Sequence, residues 1–235
     1  MKSPIIELSK TALFNEIDEE DIEKIIQGSA AEKKTFAQGQ TILQEGETTD
    51  RFGIVLKGKA VIEKNDFKGN NNIISLATEG EVFAEAYACA SEEKLMITVR
   101  ASEETQVLFL DFKKLCAFPQ SSSFDEIKKN AQISHKLMRN MLSVCAGRCL
   151  SLSRRITHTM PKTIRGKLLS YFFDCAKKAG SQKFTLEYDR QGMADYLGTD
   201  RSAMCAELSK MKKEGLIEYD KKTVELTDDC VFFKS

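Results

Sequence analysis

From Ser123 to His158, small and apolar residues return every three or four positions: Ile127, Ala131, Ser134, Met138, Met141, Cys145, Cys149, Leu152 and Ile156. No proline breaks the run. The spacing draws one stripe along a single α-helix. At ~1.5 Å per residue that helix exceeds ~45 Å, more than one small domain needs. Two uses of the stripe stay open. A self-complementary ridge of Ile127, Ala131, Met138, Met141, Cys145 and Leu152 suits a two-fold dimer. Alternatively the helix packs along its own domain, for which Ile133, Leu137 and Val144 lie beside the stripe. Pro161 ends the helix, Thr163 can cap the next one, and Met160–Lys162 is either a hinge or simply a corner between the two helices.

The residues before this helix follow another rhythm. Asp18, Glu19, Glu20 and Asp21 suit a helix N-terminus, and Ile22, Ile25 and Ile26 continue at helical spacing. From Lys33 to Phe112 short apolar runs recur at 41–43, 52–56, 60–62, 73–76, 96–99 and 107–110, punctuated by glycines. Closely spaced strands without a long helix between them predict an antiparallel sandwich, roll or barrel.

The residues after it carry the clearest motif. Asp189 can cap a helix through Met193, Ala194 and Leu197, and Gly198 makes a turn. Asp200 can then cap a second helix through Ala203, Met204, Leu208 and Met211, which Gly215 ends. Residues 216–219 and 223–226 flank the charged turn Asp220-Lys221-Lys222. The order is helix, tight turn, helix, β-hairpin wing. In such a unit the second helix enters the major groove of double-stranded DNA. Its outer face would present Asp200, Arg201, Ser202, Cys205 and Ala206, with Arg201 able to pair with guanine or with a phosphate. An ion pair from Arg201 to Glu207 or Asp195 is the competing use, and Cys205 fits a base-facing or a core role. Arg190, Gln191, Lys221 and Lys222 are placed for phosphate.

Charge agrees with that division. The total is balanced, but residues 1–120 hold 14 Lys/Arg against 21 Asp/Glu, and residues 121–235 hold 21 against 14. The positive excess thus lies where a polyanion would dock. Seven scattered cysteines without a CxxC pair argue for a reducing compartment rather than a disulfide framework. No apolar run is long enough for a membrane span, so a cytoplasmic location is expected.

Three stretches make the chain similar to the cyclic-AMP receptor protein (Crp/Fnr) family of bacterial regulators. They are Gly39 through Leu56-Lys57-Gly58-Lys59-Ala60-Val61, the run Gly80-Glu81-Val82-Phe83-Ala84-Glu85-Ala86, and Asp189-Arg190-Gln191 through Glu214-Gly215-Leu216-Ile217. The resemblance spans about Thr35 to Leu226. It implies an α+β chain: an N-terminal antiparallel β-roll of the cyclic-nucleotide-binding kind (1–122), a long dimerisation helix with a hinge (123–160) and a C-terminal winged helix-turn-helix (161–235). It further implies a homodimer, an effector pocket in each roll, and contact with RNA polymerase if the protein activates.

The departures bear on the effector. In nucleotide-binding relatives a glycine-glutamate pair precedes a short helix, and an arginine followed by a small hydroxylated residue holds the cyclic phosphate. Here Ala84-Glu85 and Leu95-Met96 stand at those places. An apolar pair cannot neutralise a phosphate, and Arg100 matches a different family position. Cyclic AMP is therefore not the expected effector. An apolar or weakly acidic small molecule near Glu85, Ala86, Leu95, Met96 and Thr98 is, with a roll that binds nothing as the alternative. No cysteine precedes Cys89, which argues against an iron-sulfur cluster, and His135 and His158 both lie on the long helix, which gives haem no ligand in the roll. The same placement argues against a cupin-like metalloenzyme, so no catalytic or metal-binding residues are expected. Cys145 and Cys149, one turn apart, suit apolar packing or a thiol switch.

Overall fold

The computed structural model describes residues 8–65, 71–90, 92–117 and 123–227. The chain divides into two compact units, Met1–Gly147 and Arg148–Ser235, with the division inside the long helix. The domain boundary expected after residue 122 abuts 118–122, which lie outside the described residues.

In the first unit a 3-10 turn at Ala12–Phe14 precedes helix α1 (Glu19–Gly28). Strands β1 (Glu32–Phe36), β3 (Arg51–Lys57), β6 (Val82–Phe83) and β8 (Thr105–Asp111) form one antiparallel sheet in the order β1-β8-β3-β6. Strands β2 (Thr41–Leu43), β4 (Ala60–Asn65), β5 (Asn71–Ala77) and β7 (Thr98–Ala101) form the second, in the order β2-β7-β4-β5. Helix α2 (Glu85–Ala90) lies between β6 and β7, and α3 (Phe112–Cys116) follows β8.

The period of two in β3 and β8 explains how the layers stack. Val55, Val107 and Phe109 face the core between the sheets, with Phe36, Ala60, Phe83 and Val99. Phe52, Ile54, Leu56, Leu108 and Leu110 face a second core. That core is closed by Ile22 and Ile25 of α1 and by Ile133, Leu137 and Met141 of the long helix, α4 (Phe124–Thr159). The sheet is thus apolar on both faces, and one face recruits the long helix. Gly53 is a packing requirement: a Cβ there would sit 2.2 Å from Cζ of Phe83 on the paired strand. Asn140 of α4 donates from Nδ2 to the carbonyls of Leu13 and Asn15 at 3.0 and 2.7 Å. Lys129 pairs with Asp21 at 2.9 Å.

The second unit holds the end of α4, then α5 (Ile164–Ala179), β9 (Lys183–Thr185), α6 (Arg190–Leu197), α7 (Arg201–Lys213) and the hairpin β10 (Ile217–Asp220) and β11 (Thr223–Leu226). One cluster joins Leu168 and Phe172 of α5, Met193 and Leu197 of α6, Met204, Leu208 and Met211 of α7, and Ile217 and Val224 of the hairpin.

The expected strands are present, with the 96–99 run realised two residues later as β7. β1, reading Glu-Lys-Lys-Thr-Phe, went unforeseen. It pairs along β8 while exposing its lysines and burying only Phe36, so its pairing carries no apolar signature.

Candidate DNA-reading surface and effector site

The caps expected around the helix-turn-helix are all made. Asp189 Oδ1 accepts from the Gly192 N–H and Asp200 Oδ1 from the Ala203 N–H, both at 2.8 Å. Each bond satisfies an orphan donor at a helix start and stabilises by about 1 kcal/mol. Gly198 ends α6 at φ 58°, the left-handed conformation that glycine takes without a Cβ penalty.

With Met204, Leu208 and Met211 buried, helical geometry turns Arg201, Ser202, Ala206, Ser209, Lys210 and Lys213 outward, and all are exposed. Cys205 is half-buried at the edge of this face, and Asp200 is exposed while serving as the cap. Arg201 has no ion pair among the described residues. Of the partners considered for it, Glu207 is bound by Arg165 Nε, and Asp195 accepts from Gln191 Nε2 at 2.8 Å. Arg201 is therefore unspent.

Arg190 turns toward the wing. Its guanidinium lies 4.8 Å over the Tyr219 ring of the wing, with Nη1 buried. It braces α6 against β10. Gln191 is exposed. Lys221 and Lys222 are exposed in the wing turn, Lys221 at φ 49°, and Lys222 Nζ comes within 3.5 Å of the Glu187 carbonyl.

Sequence reasoning missed two groups. Ser209 and Lys210 continue the reading face at i+3 and i+4 from Cys205 and Ala206, and Lys213 follows them one turn on, a spacing that was available. Arg165 was not legible as a brace. It bridges Glu207 of α7 and Glu214 at that helix's C-cap, at 2.8 Å to Glu214, and its hydrogen bond holds the Glu214 carboxyl below the usual range.

On α4, Ile127, Ala131 and Leu152 are exposed, and Met138 and Cys145 are partly buried against the unit's own core. Met141 is not on the outer ridge. It is 4% exposed, beside Leu137, because one residue is a 100° step and carries position 141 round to the inner face. Leu142 stands on the ridge instead at 70% exposure, followed by Cys149, Leu152 and Ile156. The helix thus has two apolar faces, one spent on its own unit and one uncovered.

In the roll, Glu85 opens α2 and is buried, as are Leu95 and Thr98, whereas Ala86 and Met96 are exposed. Ala84, where nucleotide-binding relatives carry glycine, keeps a left-handed backbone at φ 61°, at a cost of about 1–2 kcal/mol for a residue with a Cβ. The turn into Glu85 is therefore kept although its glycine is gone. The Leu95 segment is pinned on both sides: Gly46 N–H donates to the Leu95 carbonyl and Leu95 N–H to the Glu47 carbonyl, both at 2.8 Å. Tyr87 Oη accepts from the Met96 N–H at 3.4 Å, and Thr98 Oγ1 accepts from the Glu45 N–H at 3.3 Å. Arg100, the nearest arginine in sequence, is engaged with Glu63 at 2.5 Å and Thr41 at 2.8 Å. A separate half-open cleft of about 220 Å³ lies between Leu8, Lys10 and Thr11 and the segments at Val55-Leu56 and Glu79-Gly80.

A family model described as "Cyclic nucleotide-binding domain" matches residues 33–121, and one described as "Crp-like helix-turn-helix domain" matches residues 166–229. The two lie in the two compact units, in the order found in cyclic-AMP-receptor-like regulators. The chain belongs to the Crp/Fnr family. This Crp/Fnr protein is similar to a CRP-like cAMP-activated global transcriptional regulator of Mycobacterium tuberculosis, 21% identical over 198 residues that cover 82% of this chain and 83% of that protein. Among solved structures it shares its fold with the c-di-GMP responsive global regulator CLP of Xanthomonas campestris. The identity there is 16%, the coverage 89% of this chain and 99% of that one, and the TM-score 0.59. CprK complexed with OCPA gives 15% identity, coverage of 87% and 91%, and a TM-score of 0.54. A Dictyostelium discoideum cAMP/cGMP phosphodiesterase is 30% identical over 139 residues, only 12% of that protein's length. The Crp/Fnr protein is a DNA-binding transcription regulator whose N-terminal domain is of a small-molecule-binding class. Among the described residues no helix is long and apolar enough to cross a membrane.

Proposed function

We propose that the chain works in the cytoplasm as a homodimeric, effector-responsive regulator of transcription that reads a two-fold-related DNA site. Residues 1–122 sense, the long helix joins the protomers, and residues 161–235 read. RNA polymerase is the further partner if the outcome is activation. The observation that carries the dimer is the uncovered ridge of Leu142, Cys149, Leu152 and Ile156, which continues from a stretch whose opposite face, Ile133, Leu137 and Met141, is buried in its own unit. Met138, Leu142, Cys145, Cys149, Leu152 and Ile156 follow each other at alternating steps of four and three, the heptad seam of a two-stranded coil. A two-fold axis along that seam relates two reading helices, and Arg201, Ser202, Cys205, Ala206, Ser209 and Lys210 of each face the base edges.

The effector is an apolar or weakly acidic small molecule near Glu85, Ala86, Leu95, Met96 and Thr98, not cyclic AMP. Leu95 and Met96 offer a phosphate no cation, Arg100 is committed to Glu63, and an uncompensated buried charge costs several kcal/mol. The relatives respond to different effectors, cAMP in one and c-di-GMP in another, so membership in the family leaves the effector open.

In vitro selection with the full-length protein from random duplexes tests the reading. Recovery of a near-palindromic site by a dimer supports it, and a monomer that enriches no sequence overturns it. Calorimetric titration with cyclic AMP tests the effector statement. No heat is expected, and micromolar binding refutes it. A true effector raises the melting temperature by mass action in a metabolite screen.

A further inference from the structure

The turns of α4 that follow Gly147 are tied to the helix-turn-helix. Arg155 donates from Nε to the Tyr196 carbonyl and from Nη2 to the Asp195 carbonyl, both at 3.1 Å, and its guanidinium lies 5.6 Å over the Tyr196 ring. These carbonyls belong to the last turn of α6, where the helix dipole favours a cation, and that of Asp195 also accepts the capping Gly198 N–H at 3.3 Å. One turn on, His158 is 3% exposed, with Nδ1 2.9 Å from Tyr196 Oη and its ring edge-on to Tyr171 of α5 at 5.5 Å. Ser170 Oγ donates to the Thr157 carbonyl at 3.3 Å, across the corner at Pro161. From α5, Lys167 Nζ reaches the carbonyls of Leu197 and Gly198 at 3.1 and 3.4 Å, so the turn of the motif is held from both sides.

The candidate hinge, Met160–Lys162, is therefore a bridged corner. Gly147 is different. A Cβ there would meet nothing within 4 Å, so packing does not demand a glycine. It costs a helix interior about 1 kcal/mol relative to alanine. The compact units divide directly after it.

We propose that Arg155 and His158 are positioning residues for DNA reading. Acting through Tyr196, they make Arg148–Thr159 part of the DNA-reading body, so the pivot is at Gly147 and not at Pro161. The proposal rests on the DNA-reading function, and its test has one arm without DNA. Hydrogen exchange on the full-length protein follows the amides of 149–159. They are expected to exchange with those of α6, and in Arg155→Met/Tyr196→Phe to exchange about tenfold faster while 130–146 are unchanged. Amides at 149–159 that track 130–146 and ignore both substitutions overturn the proposal. The second arm uses the duplex recovered by selection, titrated across salt. Arg155→Met, which removes both charged hydrogen bonds, is expected to weaken binding at least about tenfold. The salt slope should stay the same, and Arg155→Lys should recover part of the affinity. A slope lower by about one makes Arg155 a phosphate contact and overturns the positioning role. Failure to select any duplex defeats the DNA reading and leaves the exchange arm to decide the positioning.

Discussion

Leu142 and its neighbour Met141 offer a sharp perturbation of the long helix, because one residue of register separates an inner from an outer position. Leu142 is 70% exposed in the protomer and Met141 is 4% exposed. Truncating leucine to alanine removes three carbon groups, about 2.4 kcal/mol at about 0.8 kcal/mol each. Scaled by the exposed fraction, about 1.7 kcal/mol of that is available only to a partner. Two copies meet across a two-fold seam, which gives about 3.4 kcal/mol per dimer, or roughly a 300-fold rise in the dimer dissociation constant. Protomer stability should change by less than about 0.5 kcal/mol, as for a surface site. Met141→Ala should do the reverse: cost about 2–5 kcal/mol of protomer stability through the cavity it leaves beside Leu137, with little direct effect on association. Sedimentation velocity over a concentration series measures the first quantity. Denaturant unfolding at one fixed protein concentration measures the second. If Leu142→Ala leaves the dimer constant within threefold of the original while Met141→Ala dissociates the dimer, the outer ridge is not the seam.

Arg201→Ala should cost about 1–3 kcal/mol on the selected duplex and relax preference at one base pair in a competition series; an equal loss on every sequence would make it a phosphate contact. Gly53→Ala should destabilise the roll by about 1–3 kcal/mol because Phe83 is fully buried and cannot swing away, and Phe83→Leu in the same chain should restore part of the loss in urea melts. Additive effects would show that the ring and the new methyl do not meet. His158 is held below its ordinary pKa by burial, against the pull of Asp174 3.6 Å away and with Lys178 and Arg154 adding to the lowering. The folded chain therefore binds fewer protons than the unfolded one. The contribution of His158 is fully present above its unfolded pKa of about 6.5 and is lost as pH falls below that value. The stability difference between the original protein and His158→Gln should narrow as pH drops from 7.5 to about 5.5; a constant difference would show that His158 does not titrate differently on folding.

The local devices of the DNA-reading half were open to reading from residue order because each is a short-range contract. Asp189 and Asp200 cap the helices that begin beside them, Gly198 takes the left-handed turn, and the apolar residues of α7 point to one side by helical period alone. In the roll, β3 and β8 could be read as strands, since each is a short continuous apolar run buried on both faces. β1 could not, because its place beside β8 is set by pairing with residues some seventy positions away and its own side chains are mostly polar. The same holds at the candidate sites. Periodicity put Met141 and Cys145 on one stripe, but a stripe read at three or four residues per step tolerates a one-position slip. Only the packing of Ile133, Leu137 and Met141 against α1 and the sheet decides which edge is inner. Arg190, Arg155 and His158 carry no local mark of what they touch. Charge type and spacing give an arginine its options, and the positions of Tyr219 and Tyr196, brought close by folding, choose among them. The amino-acid order thus determined elements, caps and the availability of Arg201, because those depend on neighbours within a turn or two. Burial, ion-pair choice and the bridging of the Pro161 corner depend on distant segments meeting, and were decided by the tertiary structure alone.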